Sequence, residues 1–490
     1  MTKATLCGQC RRRDVWRAAL IIFLAISRAW YWRYVTPVFT VDVDADISKD
    51  TSKDAWMCIG WRQAKECNNF ITSIINISVP ILSDASCDTP IPKYAAGNCE
   101  LETPNGTKVY AIHKSCQYNH HPKAKLLTCH MAYAFSRYRE QARAYREEPQ
   151  NNPKKRTGHA ADQNQNYRGI VMSVHDDVLV SAYAVIQIIR HHNCTLPIEL
   201  WSKPGELSNT KLLQELQKDK GIRHRHIQDY SITGFMSKPY SLYYSAFDQV
   251  MLLDADTIPI RDPTYLFDTP QFGNNGAIFF PDYWSPHNTV FHITKHSLLW
   301  ELLGITFVDE FEMESGQLLV DKTKSKDALD MLMFLARTYH LWIGPLWLAW
   351  GDKDLFRFAW RMTNTNFHYI QQPPSTAGFT TNNVNVCGVT LLQHDPGGDP
   401  IFLHRNTVKL KDHSSLERVW TKQQTFVGEN ALEQYIIRPS PVQGRKIKCY
   451  HPTKWSSQWF QVKDLTGSDI EALEEALLIW AKNALRISEL

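Results

Sequence analysis

Short apolar runs alternate with helical patterns through the middle of the chain. Gly169 to Val174 is an apolar run that predicts a buried strand, and Val178 to Ile189 carries apolar residues at the spacing of a long helix. Val250 to Leu253 and Leu318 to Val320 predict two further buried strands. A polar His-Asp-Asp turn joins the first strand to its helix, and this order of elements commonly holds a nucleotide. The pattern therefore predicts an α/β domain.

The strand Val250 to Leu253 ends in two carboxylates, Asp254 and Asp256. Side chains two positions apart in a strand share a face, so both carboxylates are expected to point the same way. Adjacent carboxylates repel each other, and a divalent cation that prefers oxygen ligands relieves this repulsion while gripping the phosphates of a nucleotide. Pro259 and Pro263 indicate an exposed connection after the strand, where ligands of such sheets collect. The alternative is a solvated turn.

One segment resembles the donor site of retaining GT-A glycosyltransferases, including the glycogenin-like enzymes. It contains Lys238-Pro239, Ser245, Phe247 and the Asp254–Asp256 pair. From Gly169 to about Lys411 the chain more closely resembles glycosyltransferase family 71, the α-mannosyltransferases of the fungal Golgi. The matching blocks, in order, are GIVMSVHDD with LPIELW, SKPYSLYYSAFDQVMLLDADTIPIRDPTYLF, ESGQLLVDK, GDKDLFRFAW and FLHRNTVKL. They cover about half of the chain and none of its first 150 or so residues.

The resemblance implies a GT-A-like, Rossmann-type nucleotide-diphospho-sugar transferase domain over residues 168–450. Such a domain would transfer mannose from GDP-mannose to a glycan with retention of the anomeric configuration. Asp254, Asp256 and His404 are expected to bind Mn²⁺ or another divalent cation, because carboxylate and imidazole groups are common ligands of such ions. The resemblance also favours front-face attack, in which the leaving phosphate accepts the proton of the acceptor hydroxyl and no separate base is needed.

Two lysines are candidates for the donor phosphates. In the glycogenin-like enzymes a lysine at the separation of Lys238 from Asp254 reaches the phosphates and the sugar of the donor. An ammonium group suits this role because it is a compact charge that offsets the charge developing on the leaving diphosphate. Lys409, in the same short segment as His404, is expected to meet the phosphates as well. The alternative for Lys238 is an ordinary surface lysine.

The remaining site candidates each have a structural alternative. His175 and Asp176 either contact the base or ribose or serve only as turn residues, while Asp352 and Asp354 either grip sugar hydroxyls as catalytic carboxylates or cap a helix. Trp284 is the tryptophan expected nearest the acceptor, although most tryptophans pack in cores. The complete donor-binding set is His175, Asp176, Lys238, Asp254, Asp256, Glu314, Gln317 and Lys409.

The amino terminus predicts a membrane protein. Several arginines precede the apolar run Ala18 to Ser27, which is short for a span of the roughly twenty residues that a bilayer needs. We interpret residues 1–15 as a cytosolic tail, 16–35 as a signal anchor and 36–57 as a stem, which predicts a single-pass type II protein of the Golgi with a lumenal catalytic domain. A cleaved signal peptide is the alternative.

Cysteines and glycosylation signals agree with a lumenal chain. A module at 58–130 holds an even number of cysteines and is expected to form three disulfides of undetermined connectivity. Its cysteines are Cys58, Cys67, Cys87, Cys99, Cys116 and Cys129. Sequons begin at Asn76, Asn105 and Asn193. A helix and polar linker follow at 131–167.

Beyond the site, the pattern predicts a helix at Glu417 to Gln424 and a helical extension over 451–490. Within that extension, Asp469 to Leu485 carries an apolar stripe that is expected to cover the catalytic domain. The net charge of +4 gives no indication of nucleic-acid binding. Two other functions stay open: a glycogenin-like transferase that uses UDP-glucose or another UDP-sugar, and a catalytically inactive glycan-binding protein. The presence of Lys238, Asp254, Asp256 and His404 argues against a catalytically inactive protein.

Overall fold

The computed structural model describes residues 57–66, 84–93, 95–115, 121–133, 142, 167–381, 386–442, 444–445 and 447–489. Outside these residues lie the predicted tail, the anchor, the stem up to residue 56, most of the linker, Asn76, Cys67 and Cys116. Among the residues that are described, no helix has the length and apolar character that crossing a bilayer requires.

The strands, in chain order, are β1 Met57–Glu66, β2 Ala95–Glu102, β3 Lys108–Lys114, β4 Arg168–Ser173, β5 Ile198–Ser202, β6 Ile222–His226, β7 Gln249–Leu253, β8 Thr257–Pro259, β9 Ala277–Pro281, β10 Met313–Asp321, β11 His368–Tyr369, β12 Ser375–Phe379, β13 Cys387–His394, β14 Pro400–His404, β15 Lys422–Phe426, β16 Ile437–Pro441, β17 Lys448–Pro452 and β18 Phe460–Asp464.

The helices are α1 Cys129–Tyr133, α2 Asp176–His191, α3 Thr210–Leu216, α4 Ser237–Tyr244, α5 Pro270–Asn275, α6 Leu298–Leu303, α7 Lys326–Thr338, α8 Lys353–Met362, α9 Ala431–Gln434 and α10 Asp469–Glu489. Short 3₁₀ segments lie at Gly234–Met236, Pro263–Asp268, His413–Ser415 and Ser456–Trp459.

A seven-stranded mixed sheet forms the centre of the protein, in the order β11-β9-β10-β7-β4-β5-β6. β4, β5, β6 and β7 run parallel, and β10 runs antiparallel to both of its neighbours. β7 is buried along its whole length, as expected for an apolar run that is covered on both faces of a sheet. The predicted strands at Gly169, Val250 and Leu318 and the helix at Val178 are confirmed, so this part of the chain is a mixed α/β fold.

A second sheet is antiparallel and has eight strands, in the order β16-β17-β13-β12-β15-β18, with β14 paired to β13 and β8 paired to β14. The two sheets meet where β7 ends, because the next strand along the chain, β8, pairs with β14 of the second sheet. Three residues, Asp254 to Asp256, join β7 to β8. Both acidic residues of the sequence motif therefore lie at the junction of the two sheets.

The small amino-terminal sheet has the order β1-β2-β3 and two disulfides, Cys58–Cys87 and Cys99–Cys129. These four cysteines belong to the predicted set, and the bonds confirm that the module is disulfide-linked. The sheet packs on the rest of the protein: the His113 N–H donates to the Glu301 carboxylate at 3.0 Å. The module therefore contacts the larger α/β region through this hydrogen bond.

Most described residues belong to one compact unit, Cys58–Leu101 with Lys108–Leu490. The second unit is Met1–Met57 with Glu102–Thr107, and its described part includes a turn in which the Thr107 N–H donates to the Thr103 hydroxyl at 3.0 Å. Asn105, one of the predicted glycan acceptors, is exposed in this turn.

Two predictions for the carboxyl-terminal part need correction. Glu417 to Gln424 is not helical, because Lys422–Phe426 is a strand that pairs with both β12 and β18. Pairing on two sides outweighs the local preference for a helix. In the described part of the extension 451–490, Asp469–Glu489 is α-helical and Ser456–Trp459 is a short 3₁₀ segment, but Phe460–Asp464 is a strand of the second sheet. The sequence analysis also missed a third disulfide, Cys387–Cys449, which joins β13 to β17.

The carboxyl-terminal helix α10 places one buried carboxylate inside the protein. Glu474 Oε1 accepts hydrogen bonds from Arg405 Nη1 at 2.5 Å and from the Val419 N–H at 2.8 Å, and Oε2 accepts from the Trp420 N–H at 2.9 Å. The side chains of Arg405 and Glu474 are 1% and 0% exposed. The helix therefore fixes the residue that directly follows His404 at the end of β14.

We expect Glu474→Gln to lower the free energy of unfolding by about 3–5 kcal/mol, because it leaves the buried guanidinium of Arg405 without a charged partner. The neighbouring Glu475→Gln is the matched control. Glu475 is half-exposed and pairs with Arg418 at 3.1 Å, so its loss should cost under about 1 kcal/mol. Urea denaturation of the two variants beside the unmodified chain measures both effects. Equal midpoints for the two variants would contradict the role of Glu474.

Candidate active site

Asp254 and Asp256 lie in the short turn between β7 and β8, and three backbone hydrogen bonds hold this turn. The Asp254 N–H donates to the Gly316 carbonyl at 2.8 Å, the Thr257 N–H to the Asp254 carbonyl at 3.0 Å, and the Arg405 N–H to the Asp256 carbonyl at 2.8 Å. The turn is thus tied to β10 on one side and to the end of β14 on the other. Asp256 is buried, whereas Asp254 is partly exposed.

His404 is brought to the two carboxylates by strand register. In the antiparallel pair of β14 and β8, His404 lies opposite Thr257, the residue after Asp256. His404 Nε2 is 3.2 Å from Asp256 Oδ1 and 3.8 Å from Asp254 Oδ2. One ligand atom from each of the three side chains lies within 4.8 Å of the other two. Two carboxylate oxygens and one imidazole nitrogen form a donor set that suits a divalent cation such as Mn²⁺.

Gly316 of β10 lies directly against the imidazole. A Cβ atom at this position would be 2.6 Å from His404 Nδ1, closer than side-chain atoms approach in folded proteins. The close passage of the two strands therefore requires a glycine at this position. On the same strand, the Glu314 carboxylate accepts a hydrogen bond from the Gly316 N–H at 2.7 Å and lies 3.6 Å from His404 Nδ1.

Lys238, near the start of α4, is the second group that contacts Asp254. Its Nζ donates to Asp254 Oδ2 at 2.9 Å and to Ser315 Oγ at 3.1 Å, and it lies 3.6 Å from Asp352 Oδ2. Burial alone lowers the pKa of Lys238, but the facing carboxylates outweigh it and raise the pKa above the ordinary value. Lys238 is therefore a charged ammonium group within the cluster.

Lys409 contacts the other carboxylate, with its Nζ 2.6 Å from Asp256 Oδ2. Its side chain is about a third exposed, and a cavity of about 590 Å³ opens beside it, lined in part by Asn406, Lys411 and Arg445. Although burial lowers the pKa of Lys409, the charge of Asp256 raises it overall. The walls of this cavity thus carry several cationic side chains next to the acidic pair.

Proton affinity in the cluster follows from these pairings. Burial opposes ionisation of Asp256, but the charges of His404 and Lys409 outweigh burial and lower its pKa. Burial lowers the pKa of His404, but the negative charges of Asp256 and Glu314 outweigh burial and raise this pKa to about 9. Burial also raises the pKa values of Glu314 and Asp352. The site is therefore a dense, largely compensated set of charges.

The structure brings together seven of the candidates from the sequence: Lys238, Asp254, Asp256, Glu314, Asp352, His404 and Lys409. Asp352 and Lys238 come from segments that are far apart in the sequence. Ser315, which the sequence analysis did not single out as a ligand, joins them through its hydrogen bond to Lys238. Strand alternation does not indicate Ser315, because it directly follows Glu314, which also lies at the cluster.

Other candidates lie away from this cluster. Asp354 is fully buried and accepts hydrogen bonds from Arg357 Nε at 2.6 Å and from the Met313 N–H at 3.0 Å, so it links α8 to β10. Trp284 is 8% exposed and packs edge-on against Tyr450. Its burial leaves little surface for a sugar.

The candidates after β4 have separate surroundings. Asp176 is exposed, and its carboxylate accepts from Ser208 and Asn209, which fixes the loop before α3. His175 is exposed at the N-cap of α2 and makes no capping bond with its side chain. Gln317 is buried on β10, and its amide has no hydrogen-bond partner among the residues that the structure describes.

Known proteins share this region of the chain. A family model described as "Mannosyltransferase putative" matches residues 167–298 and 307–395. The chain is 22% identical over 264 residues to the α-1,2-mannosyltransferase MNN2 of Saccharomyces cerevisiae, covering 44% of this chain and 43% of that protein. It is 24% identical over 279 residues to MNN5 of the same species, covering 44% and 46%, so the chain spans less than half the length of these relatives.

Among solved structures, the chain is similar to the galactosyltransferase LgtC in complex with donor and acceptor sugar analogues, with a TM-score of 0.30 and 15% identity over 41% of this chain and 72% of that one. It is also similar to core-mannan synthase A of Aspergillus fumigatus in its Mn/GDP form, with a TM-score of 0.29 and 11% identity over 54% and 83%. The family match and the curated relatives confirm the resemblance seen in the sequence. The matched residues 167–298 and 307–395 include Lys238, Asp254, Asp256, Glu314 and Asp352 of the cluster, whereas His404 and Lys409 lie beyond them.

Proposed function

We propose that the chain is a retaining α-mannosyltransferase with a GT-A-like domain that transfers mannose from GDP-mannose to a glycan acceptor in protein glycosylation. The observation that carries this proposal is the cluster of Asp254, Asp256 and His404 flanked by Lys238 and Lys409. It lies at the carboxyl end of a central strand, where α/β sheets bind ligands. The family of the surrounding region and the activities named for its relatives support mannose as the sugar.

The residues of the cluster fit a divalent cation, for which we propose Mn²⁺. Asp254, Asp256 and His404 would hold it, because their ligand atoms already lie within 4.8 Å of one another. When bound, such a cation offsets the charge of the donor diphosphate and of its leaving group. The three side chains leave coordination positions that phosphate oxygens can fill.

Lys238 and Lys409 provide the positive charge around the diphosphate. Each ammonium group pairs with one carboxylate of the cluster, Lys238 with Asp254 and Lys409 with Asp256. These pairs place the two amines on the acidic turn before any donor binds, so little reorganisation is needed when phosphates arrive. Fixed charge that faces the developing negative charge lowers the barrier by several kcal/mol in sites of this kind.

Transfer breaks the bond between the anomeric carbon and the diphosphate oxygen, and the electron pair goes to the leaving GDP. The acceptor hydroxyl attacks from the same face, forms the new glycosidic bond and gives its proton to a phosphate oxygen of the leaving group. Lys238 stabilises the charge on that group. Glu314 and Asp352, which border the cluster, are placed to accept hydrogen bonds from the hydroxyls of the sugar. No side chain needs to act as a base.

We also propose that the chain acts in the Golgi lumen, anchored through residues 16–35. Three disulfides support an oxidising compartment: Cys58–Cys87, Cys99–Cys129 and Cys387–Cys449. Asn105 and Asn193 are exposed, as glycan acceptors must be. Both observations agree with a lumenal catalytic domain.

Asp254→Asn and Asp256→Asn should abolish the stabilisation of the protein by Mn²⁺, because each removes one anionic ligand. In the unmodified chain a cation at a hundred times its Kd adds about 2.7 kcal/mol of stability. Melting curves with and without Mn²⁺ measure the difference, and circular dichroism checks the fold. Asp309→Asn is the control, since its side chain is half-exposed and pairs with His287. Unchanged stabilisation in both variants would remove the acidic pair from the site.

Affinity for Mn²⁺ should rise with pH up to about 9. The raised pKa of His404 means that its imidazole is protonated near neutral pH and must lose a proton to bind a cation. The same raised pKa stabilises the cation-free fold below about pH 6.5, and this contribution is lost as the pH passes 9. Calorimetric titrations in buffers of different ionisation enthalpy count the released protons. The loss of this pH dependence is expected in His404→Ala, and a pH-independent affinity in the unmodified chain would exclude His404.

The donor should be GDP-mannose in preference to UDP-sugars. Hydrolysis and transfer by the purified chain with Mn²⁺, tested against a panel of GDP- and UDP-sugars, measures this preference. Lys238→Ala should lower kcat by at least about a hundredfold, the effect of losing one preorganised charge, while Lys411→Ala beside the same cavity is the control. Turnover of a UDP-sugar alone would favour the glycogenin-like alternative. Turnover of no donor would favour a glycan-binding protein.

A further inference from the structure

An exposed strip of aromatic side chains lies beside the acidic cluster. Trp350 is 46% exposed and Phe235 is 54% exposed. Trp350 stacks on Phe291 with ring centroids 5.5 Å apart and lies 5.9 Å from the ring of Trp347. Large aromatic side chains that cluster at a surface commonly mark a binding site. We call Phe235, Phe291, Trp347 and Trp350 the aromatic strip.

The aromatic strip is continuous with the proposed active site. The ring of Phe235 lies on the backbone of Gly351, where a Cβ atom would be 3.0 Å from the ring. The next residue, Asp352, faces Lys238 at 3.6 Å. Phe235 is also only three residues before Lys238, so their Cα atoms lie within about 11 Å of each other. A molecule that rests on the strip is therefore near the group that faces the donor phosphates.

The loop that carries the strip is firmly held. Trp342, Ile343, Leu346 and Leu348 of the same segment are buried, and the Gly351 N–H donates to the Tyr339 hydroxyl at 3.1 Å. Trp347 adopts a left-handed backbone with φ of 51°. Such a conformation is unfavourable for a bulky residue and persists at functional sites where the surroundings impose it. The loop thus presents its tryptophans in a fixed arrangement.

Polar side chains border the aromatic rings. The imidazole of His121, from the disulfide-linked module, stacks on Trp347 with ring centroids 4.4 Å apart, and Lys123 Nζ lies 5.5 Å from the centroid of the same ring. His292 approaches His121 edge-on at 5.2 Å and, like Trp347, has a positive φ, of 59°. Rigid aromatic faces interleaved with hydrogen-bonding groups match a pyranose, whose CH face packs on a ring while its hydroxyls bond at the edge.

We propose that the aromatic strip is the subsite for the acceptor glycan and that a pyranose of the acceptor packs on Trp350 and Phe235. The inference rests on the proposed function, because it takes the acidic cluster as the donor site. It also gives the amino-terminal module a role in binding, since His121 and Lys123 form one border of the strip. Trp284, the tryptophan favoured by the sequence, is buried and is replaced in this role by Trp350.

The test compares acceptor kinetics in variants of the full chain. Trp350→Ala and Phe235→Ala should each raise the acceptor KM for α-linked mannotriose about tenfold, the loss typical of one buried aromatic contact. The KM for GDP-mannose should change less than twofold. Trp350→Phe should recover part of the loss, because it keeps an aromatic face. Trp455→Ala is the matched control, since Trp455 is 57% exposed and packs on Trp459 in the second sheet region.

The outcomes separate this proposal from the proposed function. An acceptor KM within twofold of the unmodified chain in both alanine variants would overturn the subsite and point to a protein partner for the strip. Parallel changes in acceptor and donor KM would likewise overturn a separate acceptor subsite. If the unmodified chain turns over no nucleotide sugar, the proposed function fails, and direct titration of mannotriose by tryptophan fluorescence then decides on the strip alone. Weaker binding by Trp350→Ala supports it, and equal binding rejects it.

Discussion

Two adjacent carboxylates in a largely buried turn are stable only because three cationic side chains compensate them. Asp254 pairs with Lys238, and Asp256 pairs with Lys409 and His404. Without these partners the carboxylates would lose hydration without a replacement for it, at a cost of several kcal/mol each. The same arrangement suits the proposed donor site, since the three candidate cation ligands and the two amines lie together.

This compensation explains why the two sheets and the carboxyl-terminal helix form one structural unit. The turn that follows β7 supplies the carboxylates, whereas β14 of the second sheet supplies His404 and leads into the segment that carries Lys409. Arg405, between them in sequence, is fixed by Glu474 of α10. Residues 451–490, which we interpret from the sequence as a separate extension, supply the carboxylate of Glu474 that holds Arg405 beside His404.

The sequence predicted what depends on neighbours along the chain. The apolar run Val250 to Leu253 predicted the strand, because strand patterns are local. Asp254 and Asp256 lie in the turn after it, so the hydrogen bonds of that turn bring them together, rather than the strand periodicity on which the prediction relied. The contacts of Ser315, Glu474 and Trp350 could not be predicted, because each depends on packing between elements that are distant in sequence. For the same reason Lys422–Phe426 is a strand. Asp354 has the same local context as Asp352, yet Arg357 draws it into the core.

The short segment Trp350 to Asp352 connects the aromatic strip to Lys238, because Trp350 belongs to the strip and Asp352 faces Lys238. Front-face attack requires the acceptor hydroxyl to lie close to the anomeric carbon on the side of the leaving phosphate. Much of the barrier to such a reaction is the entropy of bringing two sugars together, and a rigid surface that orients one of them removes part of it. Buried residues and Gly351 fix this segment, so the proposed acceptor and donor sites would keep a constant separation. In the proposed reaction, orientation by the fold and fixed charge would together provide the catalysis, and no side-chain base would be required.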